Sequence, residues 1–236
     1  MENKIQILST KAIGTELARI ASEHHICIDE ISFIKTEEVV SEELKKRIAA
    51  LAQQNITAVF TSANAVNAVK KLLPGKPSWK IFCIGYQTKQ SASDIFDEKN
   101  IVGIADNGEE LGEEIIKQSS VKKTIFFCGN QRRETLPEKL KKNGIELEEI
   151  VVYKTIEKPQ IISKHYDGIL FFSPSGVRSF FSVNKIKEPV QLFAIGTTTA
   201  KEIKTYSQLP VITPKHPHKE ELVQLVIKHF STIKSF

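Results

Sequence analysis

Short apolar segments alternate with amphipathic segments along almost the whole chain. The apolar segments are rich in Ile, Val and Phe, which is typical of buried strands, and the segments between them carry apolar residues at helical spacing. Parallel strands need a long crossover, usually a helix, so this alternation predicts parallel sheets with helices on both faces.

Ten segments have strand character and nine have helix character. The predicted strands are Ile5–Leu8, Ile26–Ile34, Ala58–Thr61, Ile81–Ile84, Ile101–Ile104, Thr124–Cys128, Leu147–Tyr153, Gly168–Phe172, Leu192–Ile195 and Val211–Thr213. The predicted helices lie near residues 11–24, 41–53, 63–73, 87–97, 109–118, 134–142, 175–183, 197–206 and 218–230. Because ordinary sheets have fewer strands, we expect more than one sheet.

The chain repeats itself at a nearly constant spacing. A shift of 111 positions places the segment that starts at Phe60 onto the one that starts at Phe171, and a shift of 119 aligns the earlier parts. Constant register over about sixty residues favours a tandem duplication over the turn signals that all α/β proteins share. Matched pairs include Ser62 and Ser173, Gly85 and Gly196, and Thr88 and Thr199.

The two longest strand candidates contain "IDEISFIKT" and "LEEIVVYKT", which are matched copies in the repeat. Strands of this length can pass from one sheet to another. The predicted fold is therefore two doubly wound α/β domains joined by a two-stranded linker, with a cleft between them. The first domain is discontinuous and takes residues 1–35 and 156–236, and the second takes residues 36–155.

Composition favours a globular protein, which we expect to lie in the cytoplasm and to act as a monomer. Hydrophobic residues make up 41% of the 236 residues, and no apolar run approaches the roughly 20 residues of a membrane span. The first twenty residues lack the features of a secretory signal. The three cysteines form no CxxC pair, so neither a disulfide framework nor a zinc site is indicated. The net charge of +5 comes from dispersed Lys and Arg, which suits a small polyanionic ligand better than a nucleic acid.

Small polar residues follow four of the predicted strands. In a parallel sheet the carboxyl ends of the strands form the binding edge, where helix N-terminal amides favour carboxylate or phosphate. Helix capping explains any one of these turns, but four related turns favour an anion-binding cleft. The residues are Thr61, Ser62 and Asn64; Gly85 and Thr88; Ser173, Pro174, Ser175 and Gly176; and Gly196, Thr197, Thr198 and Thr199.

A fifth strand end, "FFCGNQRRETLP", places Gly129 and Asn130 before Arg132 and Arg133. Arginine offers a fork of donors that matches a carboxylate, although surface solvation explains either arginine alone. Tyr153 ends the second long strand, where its phenol is protonated at neutral pH and can donate a proton. A buried structural tyrosine is the alternative.

No common catalytic motif occurs in the chain. The phosphate loop GxxxxGK[ST], the dinucleotide fingerprint GxGxxG, the zinc motif HExxH and the nucleophile elbow GxSxG are all missing. His216 and His218 in "PKHPHK" indicate a loop rather than a metal site. We expect neither a metal nor an organic cofactor, and chemistry that relies on binding geometry and on the substrate's own reactivity.

The motifs "FTSANAV", "FFCGNQRRETLPEKLKKNGIELEEIVVYKT", "ILFFSPSGV" and "FAIGTTTA", in this order and spacing, resemble the uroporphyrinogen-III synthase family. The resemblance covers nearly the whole chain. It implies two α/β domains, the first built from both chain ends, and an enzyme that closes hydroxymethylbilane to uroporphyrinogen III. In that reaction the last pyrrole ring is inverted and water is lost, without a cofactor, in tetrapyrrole and haem biosynthesis.

The resemblance also implies a mechanism. The hydroxyl leaves to give an azafulvene, the substituted carbon of the terminal ring attacks to form a spiro intermediate, and fragmentation and reclosure follow. Tyr153 matches the tyrosine that assists loss of the hydroxyl. Lys89 and Gln90 depart from the small apolar residues typical of the family after Thr88. Positions that match the family's cleft lining are Thr61, Ser62, Thr88, Ser173, Ser175, Thr198 and Thr199.

Two other functional classes stay open at this point. One is a non-catalytic two-domain module that binds an anionic metabolite, which would usually carry an appended signalling domain. The other is a nucleotide-sugar transferase, although its acidic metal motif and basic diphosphate loop are missing. A nucleic-acid-binding protein is disfavoured because no basic stripe interleaved with aromatic residues occurs.

Overall fold

The strands form two separate sheets in the computed structural model, which describes residues 4–186 and 189–233. The strands are β1 (Ile5–Ser9), β2 (Ile26–Glu30), β3 (Ile34–Glu38), β4 (Thr57–Phe60), β5 (Lys80–Ile84), β6 (Ile101–Ala105), β7 (Lys123–Gly129), β8 (Glu146–Glu157), β9 (Gly168–Phe171), β10 (Gln191–Ala194) and β11 (Val211–Ile212). The helices are α1 (Thr15–Glu23), α2 (Glu42–Ala52), α3 (Ala63–Leu72), α4 (Tyr86–Ser93), α5 (Gly108–Lys117), α6 (Thr135–Lys142), α7 (Pro174–Phe181), α8 (Thr197–Ile203) and α9 (Lys219–Ile233).

The first compact unit takes the chain up to Lys35 and from Ile156 onward. Its five strands are all parallel, in the order β2-β1-β9-β10-β11. Numbered along the chain, this order is 2-1-3-4-5, the doubly wound arrangement in which the strand order reverses between the first and third strands. Ligands of such sheets bind at that reversal, here between the carboxyl ends of β1 and β9.

The second unit is Thr36–Thr155, and its sheet has the order β3-β8-β7-β4-β5-β6. In its parallel part, β8-β7-β4-β5-β6, each strand holds the place that its counterpart in the sequence repeat holds in the first unit. Thus β7 and β4 correspond to β1 and β9. The reversal therefore lies between β7 and β4. Two sheets of the same parallel topology confirm the predicted fold class.

The boundary between the units falls inside β3 and β8, which are neighbours in the second sheet. Backbone hydrogen bonds join Val39 N to Val152 O (2.9 Å) and Lys158 N to Phe33 O (2.8 Å). From residue 33 to residue 39 the bonded partner changes from residue 158 to residue 152. Residue numbers therefore run in opposite directions along the two strands, and β3 and β8 are antiparallel.

The predicted strand Ile26–Ile34 is wrong as one continuous strand. It divides into β2 and β3, which belong to different sheets, with a break at residues 31–33. Ile31 N still donates to Ser9 O, and then the chain turns to bury the Phe33 ring completely. That ring meets Phe180 edge to face, with centroids 5.3 Å apart. Burial of this aromatic side chain outweighs the continuation of an apolar strand pattern.

The first helix begins later than the predicted residue 11. Gly14 has a φ of 99°, a left-handed conformation that glycine adopts without strain, and α1 begins at Thr15. The amides of Ile13 and Gly14 donate to Glu30 Oε1 at 2.8 and 3.3 Å. The carboxylate of β2 therefore fixes the loop that follows β1.

One core of the second unit is built on stacked aromatic rings. Phe127 of β7 stacks on Phe60 of β4 with ring centroids 5.2 Å apart, and on Trp79 at 5.4 Å. The indole Nε1 donates to Leu51 O at 3.0 Å, which satisfies its polar atom inside the core. Trp79 therefore connects the end of α2 to the centre of the sheet.

The first unit has an apolar core on each face of its sheet. On one face, Ile7 and Phe193 pack against Val223 and Val226 of α9. On the other face, Leu8 and the Phe171 ring pack against α7. No helix in the described part of the chain is long and apolar enough to cross a membrane.

We expect Trp79→Ala to lower the free energy of unfolding by about 3–5 kcal/mol, because it leaves a large cavity and removes the hydrogen bond from the indole to Leu51 O. Urea unfolding followed by circular dichroism measures this, since the substitution removes the chain's only tryptophan. The loss is expected in the transition of the second unit. The control is Val40→Ala, in the same unit, whose side chain is 78% exposed. A stability loss no larger than that of the control would contradict the role of Trp79.

Candidate functional site

The predicted site residues lie at the carboxyl edges of the two sheets. In the second unit they follow β4, β5 and β7, and in the first unit they follow β9 and β10. The group in the second unit thus includes both sides of the reversal in strand order, and the group in the first unit includes the β9 side, where doubly wound sheets bind ligands.

A serine precedes α3, the helix that follows β4, and another precedes α7, the helix that follows β9. Ser62 accepts a hydrogen bond from Asn64 N at 3.1 Å, and Ser173 accepts one from Gly176 N at 3.1 Å. These are helix caps, as sequence reasoning allowed. A capping hydroxyl still has its own hydrogen to donate, so Ser62 and Ser173 can also bind an anion. Ser173 is 3.2 Å from the Ser175 hydroxyl, which extends this polar cluster.

Glycine begins the helix after the next strand in each unit. Gly85 precedes α4 with a φ of 77°, and Gly196 precedes α8 in an extended conformation. Neither helix has a side-chain cap, so the first-turn amides of α4 and α8 keep their donors for another group. Together with the helix dipole, these amides favour an anion.

The threonines of these two turns differ in exposure. Thr88 and Thr199 are 5% and 2% exposed, whereas Thr198 is exposed. Among the described residues, neither buried threonine hydroxyl has a hydrogen-bond partner, and the only unpartnered hydroxyl sealed from solvent is that of Ser179. The hydroxyls of Thr88 and Thr199 therefore lie in largely buried side chains but are not fully sealed from solvent.

Tyr153 lies against Gly129 at the edge of the second sheet. The register shifts between Cys128 and Gly129, so β8 contains one extra residue and Tyr153 pairs with Gly129. This bulge turns the ring toward the cluster that contains Ile150 and Val152. A Cβ atom on residue 129 would lie 2.5 Å from ring carbon Cζ, so only glycine fits beneath the ring. The Tyr153 hydroxyl has no hydrogen-bond partner among the described residues.

Asn130 and the two arginines have different surroundings. Asn130 Oδ1 accepts from Thr155 N at 2.8 Å, so this side chain holds the ends of β7 and β8 together. Arg132 forms a fork with Glu149, which is the main cause of its raised pKa. Arg133 is exposed and forms no ion pair with any described residue. Of the two arginines, Arg133 is therefore the one available to a ligand.

The edge of β1 also carries polar residues that sequence reasoning missed. Thr10 is buried and donates to Leu170 O at 2.8 Å, and Lys11 follows it. Lys219 Nζ donates to Ile13 O at 3.1 Å, next to Lys11. Desolvation, and then the charge of Lys219, lowers the pKa of Lys11. The rule for parallel strand ends, applied to "ILSTK", would have found Thr10 and Lys11.

Two further residues of the β5 edge bear on the sequence predictions. Tyr86, the first residue of α4, was also missed and is 75% exposed, which places an aromatic ring beside the uncapped amides. Lys89, which departs from the family's small apolar residues, has Nζ 3.4 Å from Glu98 Oε1. Both groups of that long contact are near the surface, so the pair contributes little stability.

Two of the three cysteines, Cys83 and Cys128, are buried. Burial raises the pKa of Cys83 to about 12 and that of Cys128 to about 11, so neither forms a thiolate near neutral pH. No three His, Cys, Asp or Glu side chains within residues 4–186 and 189–233 come together where they can hold a metal ion. The polar chemistry of the two edges is that of hydroxyls, amides, lysines and Arg133.

Known proteins share this fold. The family model described as uroporphyrinogen-III synthase HemD matches residues 15–224. The crystal structure of uroporphyrinogen-III synthetase from Helicobacter pylori aligns over 95% of this chain and 99% of that chain, with a TM-score of 0.69 and 18% identity. A mutant uroporphyrinogen III synthase from the extremely thermophilic bacterium Thermus thermophilus aligns over 97% of this chain and 99% of that chain, with a TM-score of 0.63 and 13% identity.

The two kinds of similarity carry different weight. Fewer than one residue in five is identical to either solved structure, so those alignments support the fold alone. The family match is made on sequence and runs from the first residue of α1 into α9, which confirms the predicted resemblance. The chain therefore belongs to the uroporphyrinogen-III synthase family, the cyclising hydro-lyases of haem biosynthesis.

Proposed function

We propose that this chain converts hydroxymethylbilane to uroporphyrinogen III, with inversion of the last pyrrole ring and loss of water. The observation that carries the proposal is the family match over residues 15–224. The substrate is a flexible polycarboxylate, and the carboxyl edges of both sheets offer donors suited to carboxylates. The reaction needs no redox step, and burial raises the pKa values of Cys83 and Cys128 away from the range of a nucleophile.

We propose that residues at both edges bind the carboxylates of the substrate. The uncapped amides of α4 and α8 and the serine hydroxyls are neutral donors, and Arg133 adds a charge that does not titrate. The exposed ring of Tyr86 offers a face on which a pyrrole can stack. The proposed binding residues are Thr61, Ser62, Asn64, Gly85, Thr88, Gly129, Asn130, Arg133, Ser173, Pro174, Ser175, Gly176, Thr198 and Thr199.

We propose that Tyr153 donates its phenolic proton to the departing hydroxyl, which leaves as water. The pyrrole nitrogen supplies the electrons that expel it, and the terminal ring attacks through its substituted carbon to form a spiro intermediate. The earlier bond from that carbon to its bridge carbon then breaks, and the bridge carbon rejoins the ring at the unsubstituted carbon. The proton that this unsubstituted carbon loses restores the phenol, so the overall change is the loss of one water. The position of the ring against Gly129 and its unpartnered hydroxyl support this role.

We further propose that the protein acts as a monomer in the cytoplasm on a small-molecule substrate, with no nucleic-acid partner. All three cysteines are free, which suits a reducing compartment. The dispersed basic residues do not form the stripe that nucleic acids require.

The proposed reaction predicts a specific product isomer. With hydroxymethylbilane as substrate, followed by oxidation and chromatographic separation, we expect the purified protein to give mainly the type III isomer. Hydroxymethylbilane alone gives the type I isomer by direct closure. A product that matches this uncatalysed control would overturn the proposed function and leave the anion-binding module as the interpretation.

We expect Tyr153→Phe to reduce kcat by about tenfold or more, because loss of a general acid typically costs at least that much. Initial rates of type III formation measure the effect. Tyr206→Phe is the matched control, since its ring stacks on Phe181 in the other unit. The role as acid is excluded if Tyr153→Phe turns over at the wild-type rate while its circular dichroism spectrum is unchanged.

We expect Gly129→Ala to reduce kcat by about tenfold or more, because the new methyl group displaces the Tyr153 ring and misplaced groups lose catalytic effect steeply. Gly75→Ala is the control, since a Cβ there meets nothing within 4 Å and the residue lies in the same unit. Equal kcat for the two variants, with both folded, would show that the placement of Tyr153 against Gly129 does not matter for turnover.

A further inference from the structure

A cavity of about 710 Å³ lies at the opposite edge of the second sheet, at the amino ends of its strands. It is well within the size range of small-molecule sites. None of its residues belongs to the proposed catalytic edge. Its lining residues are Arg47, Leu51, Gln54, Asn55, Ile56, Thr57, Ser78, Lys80, Ser120, Val121, Lys122, Lys123, Ile125 and Glu148.

The charges around this cavity do not balance, since four cations and one carboxylate line it. Glu148 binds Arg47 at 2.5 Å and Lys123 at 3.2 Å, so the carboxylate holds two of the cations against the wall. Lys123 also meets Glu146 at 2.7 Å. Lys80 and Lys122 have no carboxylate partner among the described residues. A cavity with two unbalanced ammonium groups favours an anion.

The two unpaired lysines approach the cavity from different strands. Lys80 begins β5 and pairs with Thr57 of β4, while Lys122 directly precedes β7 on the other side of β4. The anion therefore meets positive charge from two sides of one strand. Lysine presents a compact point charge, which suits the oxygens of a phosphate group.

The remaining lining gives the cavity an apolar closed side and a polar mouth. Leu51, Val121 and Ile125 are almost completely buried, so they lie at its closed side. The polar residues Asn55 and Ser78 are exposed. They also line an adjoining hollow of about 350 Å³, so the groove continues toward the loop at residues 74–78. Among the apolar lining residues, Ile56 is half-buried and adds accessible apolar surface, so the site combines room for an organic group with charge for an anionic group.

We propose that this cavity binds a phosphorylated small molecule with an organic body, of about the size of a nucleotide. Its phosphates lie between Lys80 and Lys122, and its organic body lies against Ile56. The C-terminal end of α2, with its partial negative charge, is on the organic side, where it does not oppose the phosphates. This inference is independent of the proposed reaction, because the cavity and the catalytic edge share no residue.

The test measures binding of ADP to the full-length protein by isothermal titration calorimetry at low ionic strength. We expect saturable binding, and a Kd at least about tenfold higher for the double variant Lys80→Glu, Lys122→Glu, because the phosphates then meet negative charge. The charge-matched control is Lys99→Glu, Lys141→Glu, at exposed positions of the same unit outside the cavity. We expect its Kd to stay within about twofold of wild type.

Two simpler probes separate the parts of the site. Pyrophosphate carries the charge without the organic body, and adenosine carries the body without the charge, so both are expected to bind more weakly than ADP. The inference is overturned if ADP shows no saturable binding, or if both double variants bind it equally well. It is also overturned if adenosine binds as tightly as ADP. Each variant's type III activity without ADP is expected to equal wild type, so failure here is distinguishable from failure of the proposed function.

Discussion

A parallel sheet brings the amino ends of its following helices to one edge, and the first amides of those helices cannot bond within their own helix. This constraint determines where the protein can meet an anion. In each unit a serine side chain accepts a hydrogen bond from one of these amides at the start of one helix. A glycine precedes the next helix, which has no side-chain cap. The helices that follow the strands do not begin at the opposite edge of the sheet, so positive charge there must come from side chains. In the second unit lysines supply it.

The second constraint is the bulge at the end of β7 and β8. Without the extra residue, strand alternation would put Tyr153 on the face opposite Val152. With it, both contact the same cluster, and Gly129 provides the space that the ring occupies. Asn130 then closes the end of the pair through its bond to Thr155 N. Within the described residues, the Tyr153 phenol is therefore positioned by backbone geometry and not by hydrogen bonds to its own hydroxyl.

The repeated units have kept their helix starts and changed their strand ends. Ser62 and Ser173 both cap the helix that follows, although Ser62 accepts from the amide two residues on and Ser173 from the amide three residues on, and Gly85 and Gly196 both precede uncapped helices. The ends of β1 and β7 have diverged, because one leads to Lys11 and the other to Asn130 and Arg133. Duplication preserved the amide donors, which depend only on the fold, while side chains at the reversal of strand order specialised.

The alternation of apolar and amphipathic segments determined the fold class and the strand-end positions of the site, because both follow from local periodicity and from the geometry of parallel crossovers. The capping serines, Ser62 and Ser173, could be predicted from the sequence because helix capping also depends on the local sequence. The break at Phe33, the pairing of Arg132 with Glu149, and the bulge beneath Tyr153 were decided by tertiary structure. Each depends on a partner from another strand or helix, and the energy of burying a ring or pairing a charge with a distant residue leaves no periodic signal along the chain.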